Sequence, residues 1–155
     1  MAKQDGINIL YVDDELNNLV SFKAVFRIKY NVYTAISGEE AVKILHNNSI
    51  NIIITDQRMP QMTGVEFLES ILGEFPDPIR ILLTGYADMN AVIDAVNKGK
   101  IFHYLSKPWN EEELDMTITR AYEVYKQKMD EKEMTYKLSL SNDQLEFLLR
   151  QKLLS

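Results

Sequence analysis

The feature that most constrains this chain is an alternation. Five short, β-rich apolar runs recur through its first 110 residues, and stretches with helical spacing separate them. The purest run, Ile50 to Thr55, is apolar almost throughout and ends on Asp56. A strand apolar at successive positions has both faces covered, as in the centre of a parallel sheet. The other runs are Ile7–Val12, Asn31–Ile36, Ile79–Leu83 and Ile101–Leu105. Between the first two, Leu19, Val20, Phe22, Val25 and Phe26 recur at helical spacing over Asn17–Lys29. Ser37 with Glu40 forms a capping-box pattern ahead of Ala41, Val42, Ile44 and Leu45, and that helix is expected to fray at His46–Asn48. Thr63-Gly64 opens another helix carrying Val65, Phe67, Leu68, Ile71 and Leu72, before the breaker cluster Glu74–Pro78. Asp88–Lys98 reads as helical and stops at Gly99, and a last helix starts near Asn110, with Glu111 to Glu113 suiting its N-terminus. Strands that alternate with helices predict an α/β fold, a parallel five-stranded sheet wound with helices on both sides. Right-handed crossovers leave few other economical topologies.

The ends of those runs carry the chemistry. Asp13 and Asp14 follow the first strand, Asp56 the third, Thr84 the fourth, and Lys107 lies just past the fifth. In an open α/β sheet, ligands bind in the crevice beyond the carboxyl ends of the strands. Three carboxylates gathered there repel one another and favour a cation among them. Mg2+ suits the set, since it takes oxygen ligands and keeps some waters. A carboxylate can act as nucleophile and become an acyl phosphate. The charge on a transferring phosphoryl group would then fall to the metal, the Lys107 ammonium and the Thr84 hydroxyl. Any one of these residues alone could be a helix cap or a solvated side chain. Coincidence of all of them at successive strand ends is the informative observation.

Composition narrows the alternatives. At 155 residues and 46% hydrophobic content, the chain can bury one sizeable core with an appendage. It has no cysteine, which excludes disulfides and thiolate metal sites and fits a reducing cytosol. No apolar run nears the roughly 20 residues that span a bilayer, and the start of the chain does not read as a signal peptide. A cytoplasmic protein without membrane contact is expected. Residues 121–155 hold six basic and six acidic side chains, so the first 120 residues carry the whole net charge of −6. An acidic body with a neutral tail is a poor footprint for nucleic acid, and no direct contact with it is expected. Neither a GxGxxG turn nor a P-loop is present.

The tail departs from the alternation. Ile118, Tyr122, Tyr125, Met129 and Tyr136 follow at intervals of three, four or seven, with Lys132 interrupting the stripe. The last helix is therefore expected to overrun the domain to about Lys137. Ser141 to Gln144 resembles a second capping box, which places a break near 139–141. Leu145, Leu148, Leu149 and Leu153 then form a narrow stripe, too exposed to be stable alone. It either folds back on the body or serves as a dimerisation or connector helix. The second reading is preferred, because the five-helix body is already complete.

The segments ILYVDDE at 9–15, IIITDQRMPQMTGVEFL at 52–68, ILLTGYAD at 81–88 and YLSKPW at 104–109 together resemble the receiver domain of bacterial response regulators. The likeness covers roughly residues 5–125, implying a receiver over 1–125 and a helical extension over 126–155. It implies a flavodoxin-like sheet of order 2-1-3-4-5. It also implies phosphoryl transfer to Asp56 from a histidine kinase or phosphotransfer protein, with Mg2+ as cofactor. Asp14 and Asp56 would ligate the metal directly, Asp13 mainly through water, and the backbone carbonyl of Arg58 would complete the protein ligands. Lys107 would contact the phosphoryl oxygens. Thr84 would move to bond them and Tyr104 would swing inward behind it, remodelling the face of the fourth helix, fifth strand and fifth helix. A homodimer through that face or the C-terminal helix is the expected assembly. The Lys107–Pro108 bond would be cis, which only an X-Pro bond adopts at modest cost. Arg58 and Tyr86 occupy the positions that modulate phosphate lifetime in this family, and both are large enough to crowd an attacking water. TGYAD and KPW further resemble receivers fused to larger output modules, including cyclic-dinucleotide phosphodiesterases and enhancer-dependent transcription regulators.

A rival from another class is an Mg2+-dependent phosphohydrolase with an aspartyl nucleophile. Haloacid-dehalogenase-like enzymes of that kind need a second Asp two residues after the nucleophile as general acid. Arg58 stands there in this chain.

Overall fold

The computed structural model describes residues 6–85 and 89–154. Its elements alternate as β1 (Asn8–Val12), α1 (Leu16–Phe26), β2 (Asn31–Ala35), α2 (Gly38–Asn47), β3 (Ile52–Asp56), α3 (Gly64–Ser70), β4 (Ile79–Thr84), α4 (Met89–Asn97) and β5 (His103–Ser106), followed by α5 (Glu111–Ser139) and α6 (Asn142–Leu154). The strands form one parallel sheet of order β2-β1-β3-β4-β5. The order reverses between β1 and β3, where the topology opens a crevice at the carboxyl ends.

Side-chain alternation sorts the core into two layers. Ile9, Tyr11, Ile52, Ile54, Ile81 and Leu83 face one side, beneath Leu19, Phe22 and Phe26 of α1 and Leu114, Ile118 and Ala121 of α5. Leu10, Val12, Ile53 and Leu82 face the other, beneath α2, α3 and α4 through Ala41, Leu45, Phe67, Leu68, Val92 and Ala95. Every residue of β3 and β4 is buried, the expected signature of central strands.

Local signals set most boundaries. Ser37 Oγ accepts the Glu40 N–H at 3.2 Å to cap α2. Gly99, at φ +74°, takes the left-handed turn that ends α4. Several boundaries differ from expectation: α1 ends at Phe26 rather than Lys29, and β3 begins at Ile52 rather than Ile50. Helix α3 stops at Ser70, short of Ile71 and Leu72, because the backbone turns there toward Pro76 and Pro78. Strand β5 begins at His103 rather than Ile101. The Lys100 N–H still bonds the Ala95 carbonyl of the preceding helix at 3.0 Å, and Ile101 is spent burying itself in the α2–α4 layer.

The chain divides into two compact units, residues 1–125 and 126–155. Within the second, Ser141 and Gln144 cap α6 reciprocally: the Ser141 N–H donates to Gln144 Oε1 at 3.0 Å and the Gln144 N–H to Ser141 Oγ at 3.4 Å. Helix α6 buries none of its residues. Among the described residues, no helix is long and apolar enough to cross a membrane.

Candidate metal and phosphoryl site

Strands β1, β3, β4 and β5 deliver their polar termini to one end of the sheet. Asp13, Asp14 and Asp56 converge there, each offering a carboxylate oxygen within 4.8 Å of the others. Asp13 is wholly buried and Asp56 nearly so, while Asp14 is half-buried. Lys107 reaches in from beyond β5, placing Nζ 2.8 Å from Asp56 Oδ1 and 3.6 Å from Asp13 Oδ2. Its backbone N–H bonds the Thr84 carbonyl at 3.0 Å, which ties the lysine to the end of β4. The Lys107–Pro108 peptide is cis.

Burial pushes the Asp56 carboxyl above the ordinary carboxylate range, and the Lys107 ammonium beside it offsets only part of that effect. Burial alone would lower Lys107; the hydrogen bond and charge of Asp56, with Asp13 and Glu15 behind it, outweigh burial and raise it. Three acids facing one ammonium leave an excess of negative charge. The all-oxygen donor set, without sulfur or imidazole, suits a hard divalent cation such as Mg2+. The residues present therefore fit that ion.

Asp13 is held most firmly. Its Oδ1 accepts the Glu15 N–H at 2.9 Å, and its Oδ2 accepts the Tyr11 hydroxyl at 2.7 Å and Asn18 Nδ2 at 3.0 Å. Sequence reasoning missed Tyr11, Asn18 and the Glu15 N–H. Strand alternation contained the signal for Tyr11, since a residue two before Asp13 shares its face.

The loop after Asp56 is pinned on both sides. Gln57 donates its N–H to the Leu83 carbonyl and accepts the Gly64 N–H on its own carbonyl, both at 3.0 Å, while its side-chain oxygen accepts the Val65 N–H at 3.0 Å. Gly64 is required by contact: a Cβ there would collide with the Asp56 carbonyl oxygen and lie 2.8 Å from Leu82 Cδ1. Thr63 and Glu66 close a full capping box at the start of α3, each backbone N–H bonded at 3.1 Å.

The remaining expected residues are placed less closely. Thr84 is buried, and its Oγ1 donates to the Gly85 carbonyl at 3.0 Å rather than into the carboxylate cluster. Tyr104 is half-buried against the α2–α4 layer. Arg58 is exposed in the loop after β3. Tyr86 lies outside the described residues.

Known proteins resemble this chain. The model of the response regulator receiver domain family matches residues 9–119. The hydrogenase transcriptional regulatory protein HoxA of Bradyrhizobium diazoefficiens is 33% identical over 118 residues, which are 76% of this chain and 24% of that protein. The chain thus spans about a quarter of the length of the curated relatives it matches. Among solved structures, a response regulator receiver domain protein from Clostridium thermocellum aligns at 35% identity with TM-score 0.73, over 77% of this chain and 97% of that one. An adenylate cyclase structure from Rhodopirellula baltica aligns at 28% identity with TM-score 0.82, over 85% of this chain and 98% of that one.

Proposed function

The chain belongs to the response regulator receiver domain family, and from that membership we propose that it takes a phosphoryl group onto Asp56 and passes the change on as a switch. Receivers of this family are phosphoacceptor switches of two-component systems that regulate an output. The observation that carries the assignment to Asp56 is its position: buried, 2.8 Å from the Lys107 ammonium, with Asp13 and Asp14 close by.

In the proposed transfer, a carboxylate oxygen of Asp56 attacks the phosphorus of a phosphohistidine on a histidine kinase or phosphotransfer protein. The P–O bond forms as the P–N bond breaks, and the imidazole leaves with a proton. Asp14, Asp56 and the Arg58 carbonyl would hold Mg2+, with Asp13 holding it mainly through water, and the ion would supply charge neutralisation for the phosphoryl oxygens. Lys107 keeps its place and exchanges a carboxylate oxygen for a phosphoryl oxygen. The added phosphate brings about −1.5 to −2 charge and new acceptors. Thr84 gives up the Gly85 carbonyl to donate to them, and Tyr104 follows inward. The new covalent group shifts a two-state equilibrium toward the remodelled face of α4, β5 and α5.

The domain acts as a switch with at most slow self-dephosphorylation, not as a turnover enzyme. Arg58 stands where an aspartyl phosphohydrolase needs its general acid. Arg58 and Tyr86 stand at the positions that modulate phosphate lifetime in this family, and large side chains there favour a longer-lived phosphorylated state. Residues 126–155 connect to an output domain or pair with a second copy, a reading supported by exposed Phe147, Leu149, Leu153 and Leu154 on α6. Incubation with labelled acetyl phosphate and Mg2+ tests the reading. Stoichiometric incorporation that disappears in Asp56→Asn is expected; sustained phosphate release without bound label contradicts it.

A further inference from the structure

Both oxygens of Asp13 are engaged by protein donors. The Glu15 N–H holds Oδ1, while Tyr11 and Asn18 share Oδ2. That Oδ2 is also the atom Lys107 Nζ approaches at 3.6 Å, while it sits 2.8 Å from Asp56. The two carboxylates thus compete for one ammonium, and Tyr11 donates to the losing one.

Tyr11 is well suited to a fixed role. Its residue is fully buried, and its ring stacks on Phe22 with centroids 4.4 Å apart. A phenylalanine would fill the same place, so the hydroxyl is the atom that distinguishes Tyr11. A buried hydroxyl needs a partner, and this one takes a carboxylate oxygen at 2.7 Å. A donor on a carboxylate draws off negative charge, which weakens that oxygen toward any other cation. Tyr11 lines a cavity of about 390 Å³ with Asn18, Lys107, Pro108 and Trp109, and two of these, Asn18 and Lys107, also contact the acids.

We propose that Tyr11 is a positioning residue that donates to Asp13 Oδ2, weakening Asp13 as a direct metal ligand and leaving Lys107 directed at Asp56. The inference rests on the metal-and-phosphoryl reading above and assigns Asp13 its indirect role from this chain's own hydrogen bonds.

The test uses Mn2+ as probe, with free ion counted by electron paramagnetic resonance. Tyr11→Phe restores charge to Oδ2, so the variant is expected to bind Mn2+ about three- to tenfold more tightly than wild type. In an Asp13→Asn background the same change is expected to give no tightening. Asn18→Ala, on the half-buried start of α1, is expected to move affinity in the same direction by less, and it carries the test should Tyr11→Phe fail to fold. A role confined to packing would loosen the site or leave affinity alone. Unchanged or weaker binding in a folded Tyr11→Phe, or equal tightening in the Asp13→Asn background, overturns the inference. Wild-type protein that binds no Mn2+ overturns the metal-centre reading itself.

Discussion

Gly64 and Asp56 are eight positions apart in the chain, yet a methyl group on one would strike the backbone of the other. The contact is with a carbonyl oxygen, which cannot move aside as a flexible side chain can. Gly64→Ala is therefore expected to destabilise the domain by about 1–3 kcal/mol through overpacking, and to slow labelling because the shift falls on Asp56 itself. Denaturant melts and acetyl-phosphate labelling rates check this; an unshifted midpoint contradicts it. Tyr30 supplies a pH dependence away from the site. Burial first, then its hydrogen bond to Asp115, raises the phenol above its ordinary value near 10. The folded state therefore favours the neutral phenol. Its contribution is complete below about pH 10 and declines as pH rises above that, since the unfolded chain ionises first. Tyr11 is raised in the same sense, so Tyr30→Phe is expected to make the alkaline loss of stability shallower without removing it. Identical alkaline slopes in thermal melts of both proteins contradict the assignment.

Elements were legible in the sequence where one strong local signal marked them. The apolar run before Asp56 sits in the sheet centre, and the Ser141–Gln144 box caps a helix as its spacing predicts. The strand-end residues needed only a parallel sheet to bring them together, so Asp13, Asp14, Asp56 and Lys107 were readable before their distances were known. Where two signals competed, the reading slipped. Ile101 is β-branched and apolar, but tertiary packing uses it under α4 and the strand starts at His103. Thr63 was visible as a helix start, whereas its reciprocal partner Glu66 was not recognised. Tyr11 lies inside the apolar run Ile7–Val12, where strand alternation and not apolar character sets the partner of its hydroxyl. The α3 box gives a prediction at this scale: Thr63→Ala loses one cap bond and is expected to cost about 1 kcal/mol. Because α3 opens directly after the pinned loop, labelling is expected to fall less than stability. An unchanged midpoint in urea contradicts the cap's contribution.

For the whole molecule, the receiver is a sheet whose buried strands lend rigidity and whose polar ends carry chemistry. Three acids and one ammonium leave an excess of negative charge, which a divalent cation would balance before a phosphoryl group adds to it. Helix α6 exposes Phe147, Leu149, Leu153 and Leu154 and buries nothing. If it pairs copies under phosphoryl control, molar mass in solution is expected to double with beryllofluoride and Mg2+; a monomer in both states contradicts that role. Transfer to Asp56 itself is tested most simply by trapping the phosphorylated residue. After transfer from a phosphorylated kinase, borohydride reduces an acyl phosphate on aspartate to homoserine, which peptide sequencing locates. Homoserine at position 56 alone is expected. Homoserine at another aspartate, or none from protein that carries label, would contradict it.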